Sequence, residues 1–249
     1  MRHFQRSLLF AFIVPWLLPA WASAQAVAPP PKPAAAAEST VAPVPRDAKW
    51  MKRHELINSR AVSGDVEVLF IGDSITQGWE GAGKAAWEKF YGERKAMNAG
   101  IGGDRTQHVL WRLDNGNIKG ISPKVAVVMI GTNNAKVNSP AETAAGIEAI
   151  VNKLRAALPQ TKVLLLAVFP RGATPDDALR KKNTAVNETI AKLDDGEHVF
   201  FLDIGPKFLT ADGTLDKAIM PDLLHLSPRG YEIWAESVEP KLTELLGSK

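Results

Sequence analysis

Four apolar runs, residues 66–71, 125–130, 163–169 and 199–204, set the main constraint on how this chain folds. A strand with one wet face alternates apolar and polar residues. These runs are nearly continuous, the pattern of strands covered on both faces in a parallel sheet. A weaker run at 96–99 supplies a fifth strand. Helical patterns separate them. Ser139-Pro140-Ala141-Glu142 reads as a capping box with Pro at the first helical position, followed by Ile147, Ile150, Val151, Leu154 and Leu158 at helical spacing, and stopped by Pro159. Thr174-Pro175 is expected to open the next helix, with Val186, Ile190 and Leu193 on one face. Ser227-Pro228 opens the last, where Tyr231, Trp234 and Val238 share a face before Pro240, which is expected to break or restart the helix. A short helix carries Val109, Leu110 and Leu113. Strand and helix alternate, so the expected fold class is α/β with a parallel, doubly wound sheet in one domain.

The N-terminal residues read differently. Arg2 and Arg6 precede an apolar stretch at 8–18 that ends in Pro19 and Ala22-Ser23-Ala24. That pattern predicts a signal peptide over 1–24, and hence an exported, periplasmic or extracellular protein. The stretch is shorter than the roughly 20 residues that span a bilayer. With no cysteine in the 249 residues to carry a lipid, no stable membrane anchor is expected. Residues 25–45 hold six Pro and seven Ala and no large hydrophobe beyond Val, so they are expected to form a disordered tether. The folded domain is then 46–249. A net charge of +3, two units of which are Arg2 and Arg6, does not call for nucleic acid. No basic run interleaved with aromatics appears either.

In open α/β sheets ligands bind beyond the carboxyl ends of the strands. Those positions hold Gly72-Asp73-Ser74, Gly100-Ile101-Gly102-Gly103-Asp104, Gly131-Thr132-Asn133-Asn134 and Pro170-Arg171-Gly172, and Asp222-Leu223-Leu224-His225 just before the last helix. Acyl transfer needs a nucleophile, an imidazole base, a carboxylate to fix the imidazole tautomer, and donors for the developing oxyanion. Without cysteine, Ser74 is the candidate nucleophile. His225 is the candidate base, with His108 its only well-placed rival, and Asp222 can orient it. The Ser74 and Gly103 N–H groups and the Asn133 amide are candidate oxyanion donors. Ile75, Thr132 and Leu224 are expected to wall an acyl pocket.

Other chemistries fit less well. Thr76 stands where G-x-S-x-G needs its second glycine, and Arg105 where G-x-G-x-x-G needs its third. A metal cluster from Asp73, Asp104 and His225 lacks any supporting spacing. No metal and no cofactor are expected.

The loops resemble the conserved blocks of the SGNH, or GDSL, hydrolase superfamily, with Ser74, Gly103, Asn133, and Asp222 with His225 at the block positions. Stretches including Trp50-Met51, residues 68–74, 98–104, 108–113 and 128–134, Pro170-Arg171-Gly172 and Lys182-Asn183 resemble one branch, the catalytic subunits of intracellular platelet-activating-factor acetylhydrolase. The resemblance implies a three-layer α/β/α, flavodoxin-like five-stranded sheet of order 2-1-3-4-5. It also implies a metal-independent serine esterase, with Ser74 as nucleophile, His225 as base, Asp222 as orienter, and Ser74, Gly103 and Asn133 as oxyanion hole. The resembling subunits pair, which makes a homodimer an expectation. Trp79, bulky and close to Ser74, is expected to reshape the acyl or leaving-group site. The expected function is hydrolysis of short-chain, acetyl esters. The alternatives are removal of acetyl groups from a polysaccharide and, in a different class, non-catalytic carbohydrate binding or assembly. Small-molecule or glycan acyl esters are the expected binding partners.

Overall fold

Within each strand, successive side chains point to opposite faces of the sheet, and the core divides accordingly. The computed structural model describes Met1 and residues 39–247. Its sheet has five strands: β1 (Val68–Gly72), β2 (Ala96–Gly100), β3 (Val125–Met129), β4 (Lys162–Leu166) and β5 (Val199–Leu202). All pairings are parallel and the order is β2-β1-β3-β4-β5, so β1 lies between β2 and β3. Leu69, Ile71, Ala126, Val128, Val163 and Leu165 join one buried cluster. Val68, Phe70, Val125, Val127, Leu164 and Leu166 join the other. Burial on both faces is why these runs are unbroken. The expected α/β/α fold and its strand order are both present. β2 is an edge strand with Ala96 and Asn98 only half buried, which explains its weak apolar signal.

The first cluster is covered by α1 (Ala48–Val62), α4 (Thr106–Arg112), α5 (Pro140–Ala157) and α6 (Ala178–Ile190). The second is covered by α3 (Lys84–Tyr91) and α7 (Pro228–Leu246), with the short α2 (Ser74–Gln77) at the end of β1. The predicted capping box is formed: Ser139 Oγ accepts from Glu142 N at 3.2 Å, and Glu142 Oε2 accepts from Ser139 N at 2.7 Å. Two expectations about proline are corrected. Thr174-Pro175 forms a turn rather than a helix start, and α6 begins at Ala178, where the Asp177 carboxylate accepts from Leu179 N and Arg180 N. α7 runs through Pro240. That residue sits on the exposed face, while Val238, Leu242 and Leu245 on either side of it are buried, so packing outweighs one missing backbone hydrogen bond.

The expected signal segment and most of the Pro/Ala segment lie outside the described residues. The expected domain boundary at Arg46 moves upstream, because Thr40 is buried. Its hydroxyl donates to Glu142 O at 2.6 Å, its carbonyl accepts from Thr106 Oγ1 at 2.9 Å, and Val44 N donates to Gln107 O at 3.3 Å. Side-chain and backbone hydrogen bonds hold this stretch where its composition offers little hydrophobic burial.

Candidate active site

The carboxyl ends of the strands gather the predicted residues at one edge. β1 ends in Gly72, and Asp73 caps α2, its Oδ1 accepting from Ile75 N at 2.9 Å, so Ser74 opens the helix. α2 lies directly on the end of β2: a Cβ on Gly100 would stand 2.2 Å from Gln77 N, leaving room only for glycine. On the far side of the sheet centre, the segment before α7 turns sharply at Leu223, whose φ of +61° is costly for a branched side chain. The turn is held by Leu223 N donating to Met220 O at 2.8 Å and Gly172 N donating to Leu223 O at 3.0 Å. It brings His225 back onto Asp222.

The result is a continuous chain of contacts. Ser74 Oγ lies 2.8 Å from His225 Nε2, and His225 Nδ1 lies 2.6 Å from Asp222 Oδ2. Asp222 Oδ1 also accepts from the backbone N–H groups of His225 at 2.7 Å and Leu224 at 3.1 Å. Burial alone would raise the Asp222 carboxyl. The hydrogen bonds from His225 and Leu224 outweigh it and hold the group below the ordinary carboxylate value. The site is open, with the His225 and Asp222 side chains 44% and 56% exposed.

His108 is not brought to Ser74. Its Nδ1 accepts from Arg105 N at 3.0 Å, capping α4, and burial, reinforced by Arg46, Arg105 and Arg112, pushes its pKa down to about 4. Gly103 has φ +77° in a turn closed by Asp104 N donating to Ile101 O at 3.1 Å. An ideal Cβ on the adjacent Gly102 would be 3.8 Å from Ser74 Cβ. The Asn133 amide donates to Asp104 O at 2.9 Å and makes a longer 3.4 Å contact with Asp73 Oδ2.

The expected acyl-pocket walls need correction. Ile75 is 1% exposed and points into the core beneath the site, its carbonyl accepting from Tyr231 Oη at 2.6 Å. Thr132 is equally buried and takes two 3.1 Å hydrogen bonds from Arg171. Leu224 alone of the three is partly exposed. Trp79 also faces inward, its ring centroid 4.7 Å from Tyr231 and 4.8 Å from Trp234, so it shapes the core rather than the site.

Sequence reasoning missed a buried ionic layer under the loops. The fully buried Arg112 donates to Asp104 Oδ2 at 2.8 Å, Asn117 Oδ1 at 2.8 Å and Gly72 O at 3.0 Å, and Trp50 Nε1 donates to Asp104 Oδ1 at 2.6 Å. Asp104, once weighed as a metal ligand, is committed to these donors. Asp73 is pushed up to about 7 by burial and by the Asp104 carboxylate, against the pull of Ile75 N–H and His225. Its folded form holds a proton that the unfolded chain has released, so its contribution to stability falls as pH rises toward 7. Arg112 inside the apolar sequence Val109-Leu110-Trp111-Arg112-Leu113 was the available signal: a cation on a buried helix face needs a buried partner.

Residues 70–233 match the model of the GDSL-like lipase/acylhydrolase family, which spans Ser74, Asn133, Asp222 and His225. The chain belongs to this family. Among relatives of this GDSL acylhydrolase, platelet-activating factor acetylhydrolase IB subunit alpha1 of Rattus norvegicus is 40% identical over 201 residues, 80% of this chain and 85% of the relative. The alpha2 subunit of the same organism is 39% identical over 201 residues, 80% of this chain and 86% of its own. Two solved structures share the fold. A GDSL-like lipase from Bacteroides thetaiotaomicron has a TM-score of 0.63 at 21% identity, covering 77% of this chain and 96% of that one. An acetylxylan esterase from Geobacillus stearothermophilus has a TM-score of 0.58 at 18% identity, covering 75% of this chain and 100% of that one. The GDSL acylhydrolase is an ester hydrolase. The relatives overturn the expectation of export: the acetylhydrolase subunits are intracellular proteins, and this degree of identity to them points away from an exported chain.

Proposed function

We propose that this ester hydrolase removes short acyl groups, acetyl foremost, through an acyl-enzyme on Ser74. The observation that carries the reading is the unbroken contact from Ser74 Oγ through His225 to Asp222, at 2.8 and 2.6 Å. His225 Nε2 takes the Ser74 proton as Oγ attacks the ester carbonyl. Asp222 fixes the imidazole with Nδ1–H toward itself and stabilises the imidazolium that forms. The tetrahedral oxyanion is held by the N–H groups of Ser74 and Gly103 and by the Asn133 amide. His225 returns the proton to the departing alcohol, and a water molecule repeats the sequence on the acyl-enzyme. No metal is needed at any step.

An oxyanion would displace the long contact between the Asn133 amide and Asp73, while the 2.9 Å bond to Asp104 O keeps the amide in place. Asn133→Ala should lower kcat by roughly 10²–10³-fold with little change in KM, since the interaction matures in the transition state. A kcat within threefold of wild type removes Asn133 from the mechanism.

The exposed rim at His225 and Asp222 leaves room for an ester of an alcohol of any size, including a phospholipid or an acetylated glycan. The acetylhydrolase and acetylxylan esterase names of its similar proteins favour acetyl on both counts. The test is an acyl-length series: p-nitrophenyl acetate should be hydrolysed at least tenfold faster in kcat/KM than the octanoate. Equal rates defeat the acetyl assignment. Acetate release from acetylated xylan, compared with that from an acetylated phospholipid, then separates the two alcohols. A homodimer, proposed from the relatives' naming as subunits, is read by sedimentation.

A further inference from the structure

In the turn Ile101-Gly102-Gly103-Asp104, hydrogen-bonded from Asp104 N to Ile101 O, Gly103 at φ +77° occupies the third position of a type II turn. Types I and II differ by a flip of the central peptide, here the Gly102–Gly103 unit. With glycine at both central positions no Cβ opposes that flip. The same planar unit carries the Gly102 carbonyl and the Gly103 N–H. In a trans peptide these point in opposite directions, so whatever holds the carbonyl also aims the N–H.

The carbonyl is held from outside the turn. Arg46 Nη1 donates to Gly102 O at 2.8 Å, and its guanidinium lies against Gly103, where an ideal Cβ would meet Nη1 at 3.0 Å and Nη2 at 3.1 Å. Arg46 Nη1 is also 3.5 Å from the buried Asp104 Oδ1. Gly102 N is fixed separately, donating to Gln77 Oε1 at 2.7 Å. Arg46 itself is placed by the segment before α1, tied down at Thr40 by Glu142 and Thr106 and followed by Asp47, which caps α1.

We propose that Arg46 is a positioning residue for the oxyanion hole: its guanidinium locks the Gly102–Gly103 peptide in the type II orientation and, as a cation on the carbonyl, polarises the Gly103 N–H. This rests on the reading that Gly103 N–H is an oxyanion donor. Arg46 acts through the Gly102 carbonyl and makes no hydrogen bond to Ser74. The guanidinium raises kcat by fixing a donor that is used only when negative charge develops.

The experiment compares wild type, Arg46→Ala, Arg46→Lys and Ser74→Ala on p-nitrophenyl acetate, with thermal midpoints recorded alongside. Arg46→Ala should lose roughly 10–10²-fold in kcat with KM within about twofold, less than the loss of a whole donor. Methylguanidinium at millimolar concentration should restore part of that rate, because it can occupy the vacated site on Gly102 O. Arg46→Lys, which keeps the charge but not the planar fork, should fall between. An Arg46→Ala kcat within twofold of wild type, beside an inactive Ser74→Ala, overturns the proposal and leaves the Ser74 mechanism standing. So does a loss that appears in KM, or one that does not respond to methylguanidinium. An active Ser74→Ala overturns the mechanism itself.

Discussion

Ser74→Ala is expected to lower p-nitrophenyl acetate turnover by roughly 10⁵–10⁶-fold, because nucleophile and base act as one unit. His225→Ala should lose nearly as much, and the double variant little more than either alone. The contact at 2.8 Å means that removing either partner disables the proton transfer that makes the hydroxyl reactive. What survives is the rate enhancement from oxyanion donors and substrate binding. A fluorophosphonate probe should label wild type at Ser74 and leave both single variants unlabelled. Folding is not at stake, since Ser74 opens a single-turn helix and His225 is 44% exposed. Retention of more than a hundredth of wild-type kcat in Ser74→Ala ends the case for this nucleophile.

Arg112→Met is expected to produce the largest loss of stability. The guanidinium is completely buried and joins three separate segments: Asp104 beyond β2, Asn117 beyond α4 and the Gly72 carbonyl at the end of β1. Methionine fills most of the volume but leaves Asp104 as a buried carboxylate with fewer donors, a situation that costs about 3–5 kcal/mol. The loss has a pH signature. Burial already raises the Asp104 carboxyl against the opposing pull of Arg112, Trp50 and Arg46. Without Arg112 it rises further. Over the interval between the unfolded and folded values the native state binds the extra proton, so stability falls as pH rises. The penalty measured by urea unfolding should therefore be smaller near pH 5 than near pH 8, and Asp104→Asn in the Arg112→Met background should recover part of it at pH 8. A pH-independent penalty below about 1 kcal/mol contradicts this account of the layer.

The parts that could be read from residues alone are those governed by local rules. Continuous apolar runs marked both-face burial, and Ser139 with Glu142 marked the start of α5. Small and hydrogen-bonding residues after each strand marked the edge where Ser74, Asn133 and His225 gather. Strand order came only through family resemblance, because periodicity does not say which strand neighbours which. The failures share one cause. Ile75, Thr132 and Trp79 are near the site in sequence, but the pitch of α2 and the turn after it aim Ile75 and Trp79 inward, and Arg171 closes over Thr132. Adjacency in sequence gives no direction to a side chain. Arg46 and Arg112 reach partners 56 and 40 residues away, at Gly102 and Gly72, and such pairings leave no periodic trace.

Ser74 follows β1, the first strand in the sequence, and the Asp222–His225 turn follows β5, the last, so 151 positions separate Ser74 from His225. Closing so long a loop carries an entropic cost that the packing of the intervening strands offsets. The chemistry thus depends on contacts that span most of the folded domain. An incomplete or C-terminally shortened chain carries the serine turn without its imidazole, and hydrolysis of an ester becomes a report that the whole molecule has assembled.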